Sequence, residues 1–132
     1  MYTGVGVEMN VLVVDDFATM RKIVRNVLKQ INLQNVTEAE NGKQALELLK
    51  KEEIDLIISD WNMPEVTGIE FLRACKADPK TRHIPFIMVT AEASKKNVLE
   101  AIKAGVDNYI AKPFTSDKLQ DAINKAKANV AK

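Results

Sequence analysis

The chain has 132 residues, 46% hydrophobic and 28% charged, which is typical of one globular domain with its own core. A formal net charge of +1 excludes the basic field with which proteins collect nucleic acid or anionic lipid, and a single His and a single Cys exclude a histidine-rich metal cluster, a cysteine-based zinc site and an internal disulfide. We therefore predict a tail over residues 1–8 and one domain over residues 9–130, in a monomeric cytoplasmic protein that binds neither nucleic acid nor membrane.

Short runs rich in β-branched residues alternate along the chain with segments whose apolar residues recur every three or four positions. The runs predict five strands, at residues 10–14, 36–39, 54–59, 86–90 and 108–111. A helix is predicted after each strand. This alternation predicts an α/β fold, a three-layer α/β/α sandwich whose helices cover both faces of a parallel sheet.

The first helix is predicted from the spacing of its apolar residues, which include Phe17, Ile23 and Val24. We expect these side chains to form one packed face. Arg21 and Arg25 fall on the other side of the predicted helix, so we expect them to be solvated.

Capping signals place the ends of the later helices. Thr67 followed by Glu70 predicts a capping box at the start of the third helix. Ser94 and Ser116 are the predicted N-caps of the fourth and fifth helices, and Gly105 is suited to end the fourth in a left-handed conformation.

Polar residues lie at the ends of four predicted strands. Asp15 and Asp16 follow the first strand, Asp60 follows the third, Thr90 ends the fourth and Lys112 follows the fifth. Ligands of open parallel sheets bind beyond these carboxyl ends, so we predict one shared site. The carboxylates would repel one another strongly without a cation, and oxygen ligands alone favour Mg²⁺, with Mn²⁺ as a substitute.

A magnesium ion, a lysine and a hydroxyl can each bind one oxygen of a phosphoryl group in transfer. Asp60 is the predicted in-line nucleophile, because it ends the middle buried strand and an aperiodic loop follows it. Trp61, the next residue, is expected to be partly exposed. Taken singly, an acidic pair, a strand threonine and a Lys-Pro pair are also compatible with a helix cap, strand packing and a loop start, so the interpretation depends on all four strand ends agreeing.

These motifs together resemble the bacterial response-regulator receiver domains, and in particular their stand-alone chemotaxis members. They are an acidic pair after strand one, Asp-x-x-Met-Pro after strand three, Thr-Ala after strand four and Lys-Pro-Phe after strand five, within residues 13–26, 58–64, 88–92 and 109–115. The resemblance implies a flavodoxin-like fold with strand order 2-1-3-4-5.

The resemblance also implies a role for each site residue. Asp60 would be the phosphoacceptor and, with Asp16, a direct ligand of Mg²⁺. Asp15 would act mainly through a bound water, and Asn62 would contribute its backbone carbonyl to the metal.

The phosphoryl oxygens would be held by the Thr90 hydroxyl, the backbone N–H of Ala91 and the ammonium group of Lys112. Asn62 and Glu92 match the positions that tune dephosphorylation in this family. The bond between Lys112 and Pro113 is expected to be cis.

The family further implies a switch and a set of partners. Phosphorylation would draw the Thr90 hydroxyl inward and let the Tyr109 ring change rotamer. The face that signals would carry Tyr109, Lys95, Lys118 and Lys125, although solvated lysines need no such role. The implied partners are a histidine kinase as phosphodonor, the flagellar motor switch protein and, in some systems, a phosphatase.

Three other functions stay open at this point. The chain could be a receiver in another phosphorelay, a Mg²⁺-dependent phosphohydrolase with an aspartate nucleophile, or a binding module that acts without phosphate. The hydrolase is disfavoured because its usual Asp-x-Asp signature and cap domain are missing. We therefore expect a signalling protein that assists only its own phosphorylation and dephosphorylation, not an enzyme.

Overall fold

Five parallel strands form one sheet in the part of the chain that the computed structural model describes, residues 9–91 and 94–130, in the order β2-β1-β3-β4-β5. The strands are β1 (Val11–Val14), β2 (Val36–Ala39), β3 (Leu56–Ser59), β4 (Phe86–Thr90) and β5 (Asn108–Ala111). The helices are α1 (Ala18–Gln30), α2 (Gly42–Lys51), α3 (Gly68–Ala77), α4 (Lys95–Ala104) and α5 (Ser116–Val130). The predicted order and class are confirmed, but β1 and β3 begin later than predicted. The predicted tail, residues 1–8, lies outside the described residues.

Two apolar cores cover the two faces of this sheet, because successive residues of a strand point to opposite faces. Val11 and Val13 of β1 pack into the core beside α1 and α5. Leu12 and Val14 pack into the core beside α2, α3 and α4. Each fully buried side chain of this size contributes about 2 kcal/mol. The continuous apolar run of β1 is thus explained by burial on both sides.

Helix α1 packs through a narrower face than its spacing predicts. Val24 is buried, but Phe17 is 62% exposed and Ile23 is 41% exposed, so the prediction that both are packed is wrong. Phe17 is the extended N-cap residue before the helix and does not share its apolar face. The prediction that Arg21 is solvated is also wrong. Its side chain is 12% exposed, because Glu38 of the neighbouring edge strand β2 pairs with it.

The capping signals set most helix boundaries correctly. Thr67 and Glu70 form the predicted capping box at the start of α3. The Ser94 hydroxyl accepts a hydrogen bond from the backbone N–H of Asn97, as expected of the N-cap of α4. Gly105 ends α4 with a φ of 97°, the left-handed conformation predicted for it.

The start of α5 differs from the prediction by one residue. Ser116 is already helical, and the Thr115 hydroxyl accepts a hydrogen bond from the backbone N–H of Lys118 at 3.2 Å. The Ser116 hydroxyl instead donates to the Gln30 side chain at the end of α1, at 3.2 Å. Two adjacent hydroxyl residues offer two possible caps, and this contact between helices uses the second hydroxyl elsewhere.

A lysine joins three segments at the amino ends of β4 and β5. The Lys76 ammonium group donates to the backbone oxygens of Arg82 and Ile84 and to the Asp107 carboxylate, each at 3.2 Å. The same oxygen of Asp107 accepts the backbone N–H of Phe86 at 2.7 Å. These contacts fix where β4 and β5 begin. Within the described residues, none of the helices is long and apolar enough to cross a membrane.

Candidate functional site

The backbone hydrogen bonds of the sheet continue one residue past the strand ends. The N–H of Asp60 donates to the oxygen of Val14 at 2.9 Å, and that of Lys112 donates to the oxygen of Thr90 at 2.8 Å. Likewise, the N–H of Asp15 donates to a β2 oxygen at 3.1 Å. The first residues after β1, β3 and β5 are therefore held at one edge of the sheet by backbone geometry.

Three carboxylates and one ammonium group meet at this edge. Oxygens of Asp15, Asp16 and Asp60 all lie within 4.8 Å of one another. Asp15 and Asp60 are buried, whereas Asp16 is exposed. Lys112 Nζ lies 3.2 Å from Asp15 Oδ2 and 3.3 Å from Asp60 Oδ2. The four side chains that the sequence placed at three different strand ends thus form one cluster.

Asp15 is held through both of its carboxylate oxygens. Its Oδ1 accepts the backbone N–H of Phe17 at 2.9 Å, and its Oδ2 accepts from Lys112. Burial raises the pKa of Asp15 above its ordinary value because it penalises the charged form, and the Asp60 carboxylate acts in the same direction. The contacts from Phe17 and Lys112 offset these effects only in part. Separately, three carboxylates face one ammonium group, so the cluster carries more negative charge than its own lysine neutralises.

This donor set fits a hard divalent cation. The three aspartates offer carboxylate oxygens at one partly open edge, where Mg²⁺ can keep several of its waters. Mn²⁺ accepts the same ligands. Asn62, whose backbone carbonyl the family resemblance implies as a further metal ligand, lies two residues after Asp60 and is exposed. The residues present therefore fit the predicted magnesium ion.

The loop that follows Asp60 is packed tightly against the start of α3. The backbone N–H of Trp61 donates to Asp60 Oδ1 at 2.7 Å, and that of Gly68 donates to the oxygen of Trp61 at 2.7 Å. A Cβ on Gly68 would lie 2.0 Å from the backbone oxygen of Asp60. Sequence reasoning missed Gly68, although a glycine directly after the capping residue Thr67 is a usable signal of close approach.

Trp61 itself is 9% exposed and belongs to the core beside α2, α3 and α4. The prediction that it is partly exposed is wrong. Its ring packs into this core while its backbone N–H stays at the site, because the side chain of a loop residue can point either towards the core or towards solvent.

Thr90 and Tyr109 occupy the same face of neighbouring strands. Thr90 is fully buried at the end of β4, and Tyr109 pairs in register with Met88, two residues before Thr90. Tyr109 is half-buried and packs against the core beside α2, α3 and α4. Ala91 is exposed just beyond β4, whereas Glu92 lies outside the described residues.

The other residues predicted on the signalling face are exposed. Lys95 begins α4, and Lys118 and Lys125 lie on α5. Lys125 Nζ forms an ion pair with Asp121 on the same helix at 3.2 Å. The bond between Lys112 and Pro113 is cis, as predicted.

With this fold and site, the chain belongs to the response regulator receiver domain family, whose family model matches residues 11–124. It is 46% identical over 117 residues to the chemotaxis protein CheY of Pseudomonas aeruginosa, covering 89% of this chain and 94% of that protein. Among solved structures, the chemotaxis response regulator CheY4 of Vibrio cholerae superimposes with a TM-score of 0.83 at 32% identity, covering 91% of this chain and 99% of that one.

A second solved structure, the receiver domain of a sensor histidine kinase from Pseudomonas aeruginosa, was determined with a magnesium ion coordinated in its active-site cleft. It superimposes with a TM-score of 0.81 at 25% identity, covering 96% of this chain and 100% of that one.

Proposed function

We propose that this protein is a stand-alone response regulator of a chemotaxis system, activated by phosphorylation of Asp60. The observation that carries the proposal is the buried Asp60 carboxylate, which lies beside two further aspartates and 3.3 Å from Lys112 in a receiver domain. The identity to a chemotaxis protein over most of the chain supports the biological setting.

The proposed reaction transfers a phosphoryl group from a phosphohistidine of the kinase to Asp60. A carboxylate oxygen of Asp60 forms the new bond to phosphorus while the bond from phosphorus to the imidazole nitrogen breaks. That nitrogen keeps the electron pair. Charge spreads over the three remaining oxygens, so donors held in place before the reaction lower its barrier.

The chain offers a partner for each of these oxygens. Lys112 is already held at 3.2 to 3.3 Å from two carboxylates of the site, so its ammonium group can turn to the incoming charge. The Thr90 hydroxyl and the backbone N–H of Ala91, at the end of β4, would hold a second oxygen.

A bound Mg²⁺ would neutralise the charge on the third oxygen. Its ligands would be the carboxylates of Asp15, Asp16 and Asp60 and the backbone carbonyl of Asn62. Asn62 and Glu92 would tune the later hydrolysis.

The proposed switch uses the shared face of β4 and β5. A phosphoryl group on Asp60 gives the Thr90 hydroxyl a strong acceptor, and an inward shift of Thr90 frees space on the face that Tyr109 shares. Tyr109 is half-buried and can occupy that space by a change of rotamer. The event at Asp60 would thereby reach the surface of α4 and α5.

The proposed target of that surface is the flagellar motor switch protein, bound through Lys95, Tyr109, Lys118 and Lys125. A matched pair of charge reversals tests this: Lys118→Glu on α5 and Lys43→Glu on α2, both at exposed positions. With the phosphorylated protein, Lys118→Glu should weaken binding to the motor switch protein at least about tenfold, whereas Lys43→Glu should not. Equal effects would point to general charge attraction and contradict the assigned face.

The phosphoacceptor is tested by intact mass spectrometry after incubation with acetyl phosphate and Mg²⁺. The wild type should gain one phosphoryl group, and Asp60→Asn or added EDTA should abolish the gain. Asp55→Asn is the matched control, because Asp55 lies at the other end of β3, where it accepts a hydrogen bond from Asn10. Phosphorylation of Asp60→Asn would overturn the assignment. Turnover of many equivalents of an external phosphomonoester would favour a phosphohydrolase instead.

A further inference from the structure

Arg21 makes contacts that no role described so far requires. Its Nη1 donates to the backbone oxygen of Asp15 at 2.7 Å, and its Nε donates to Glu38 Oε1 at 2.8 Å. Glu38 is held from its other oxygen by Arg25, whose Nη1 lies 2.7 Å from Oε2. The guanidinium group thus joins α1 to the residue that follows β1 and to β2, and the Arg21 side chain is only 12% exposed.

The oxygen that Arg21 binds belongs to the peptide group between Asp15 and Asp16. Because a peptide group is planar, a hydrogen bond to this oxygen also orients the N–H and the Cα atom of Asp16. Asp16 is the exposed member of the carboxylate cluster. Asp15, in contrast, is held through its side chain by Phe17 and Lys112. Arg21 therefore acts on the part of the site that these two contacts leave least constrained.

We propose that Arg21 is a positioning residue of the cation site, which orients the peptide group between Asp15 and Asp16 and is itself fixed by Glu38. This inference rests on the proposed Mg²⁺ site and names a further residue that sets its affinity. Contacts of this kind behind metal ligands commonly change metal affinity 10- to 100-fold when they are removed.

The sign of the effect separates positioning from simple electrostatics. Arg21 is a cation near a cluster of carboxylates, so if it acted only through its charge, its removal would strengthen Mg²⁺ binding. A positioning role predicts the opposite, because the ligands lose their alignment. A purely structural role predicts lower stability with unchanged Mg²⁺ affinity of the folded protein.

The test measures Mg²⁺ binding by calorimetry and unfolding by urea in EDTA for the wild type and four variants, Arg21→Met, Arg21→Lys, Glu38→Gln and Arg25→Met. Arg25→Met is the matched control, because Arg25 pairs with the same Glu38 but makes no contact with the Asp15 backbone oxygen. We expect Arg21→Met to weaken Mg²⁺ binding about tenfold, Arg21→Lys and Glu38→Gln to weaken it less, and Arg25→Met to change it less than about twofold.

Unchanged or tighter Mg²⁺ binding by Arg21→Met would overturn the inference, and so would an equal loss in Arg25→Met. If Arg21→Met does not fold, Arg21→Lys is used instead, and unchanged or tighter Mg²⁺ binding by this variant would overturn the inference. A lysine can reach either the Asp15 backbone oxygen or the Glu38 carboxylate, but it cannot bridge both. A wild type that does not bind Mg²⁺ would instead overturn the proposed function, so the two failures are distinguishable.

Discussion

Replacement of Gly68 by alanine tests how closely α3 is packed against the proposed phosphorylation site. The added Cβ would lie 2.0 Å from the backbone oxygen of Asp60 and 2.7 Å from the Cα atom of Trp61. Ordinary contacts begin at 3.4 Å, so the first distance is 1.4 Å too short. The atoms in the way belong to the backbone and cannot swing aside as a side chain would.

We expect Gly68→Ala to lower the free energy of unfolding by about 3 kcal/mol, the upper end of the usual cost of overpacking. The backbone must move away from α3, and Asp60 moves with it. Because displacements of about 1 Å at a reacting group can cost 100-fold in rate, phosphorylation by acetyl phosphate should slow by about that factor. Urea unfolding measures the first effect, and mass spectrometry over time measures the second.

Gly42→Ala is the matched control. Gly42 is also the first residue of a helix, but its added Cβ would mainly meet the Val66 side chain, with Cγ1 at 2.7 Å. We expect a cost of about 1 kcal/mol and an unchanged rate of phosphorylation. If Gly68→Ala unfolds within about 0.5 kcal/mol of the wild type and is phosphorylated at the same rate, the argument from close approach is refuted.

Three further predictions concern charge and ionisation. Lys112→Met should raise Mg²⁺ affinity severalfold in calorimetry, because a competing cation is lost, and yet abolish phosphorylation; weaker Mg²⁺ binding would contradict this. Burial raises the pKa of Cys75 to about 12, so iodoacetamide should modify this thiol at pH 8 only when urea unfolds the protein. The stability that the neutral thiol contributes should fall as the pH rises from about 9 to 12. Burial acts to raise the pKa of Glu38, but the hydrogen bonds from Arg21 and Arg25 outweigh this effect and lower the pKa. The wild type should therefore be more stable than Glu38→Gln above pH 4.5, and urea titrations should show that this difference shrinks as the pH falls below 4.5.

The sequence was sufficient for the sheet and the residues at its edge. Continuous apolar runs such as that of β1 occur where a strand is buried on both faces, and strand ends of a parallel sheet always meet at one edge. That is why the sequence alone predicts that Asp15 and Asp60 lie close together. Local capping chemistry likewise placed Thr67 and Gly105, because each cap involves residues within one turn.

Contacts between distant segments could not be predicted in the same way. The helical period places Arg21 on the side of α1 away from the apolar stripe, but it does not say that a half-buried glutamate of β2 lies there. The burial of Trp61 and the close approach of Gly68 depend on how a loop packs against α2 and α3. Neither has a period. The burial of Trp61 has no local signal in the sequence, and the local signal of the Gly68 approach is its place directly after the capping residue Thr67.

The contacts that Lys76 and Asp107 make lie at the opposite end of the sheet from the candidate site. Lys76 and Asp107 tie down the amino ends of β4 and β5, whereas Thr90 and Lys112 lie at the carboxyl ends. If phosphorylation of Asp60 triggers the proposed rearrangement at the carboxyl ends, the surface anchored by Lys76 and Asp107 should keep the same shape before and after it. A binding reagent directed to that surface would count all copies of the protein, active and inactive alike, without shifting the balance between them.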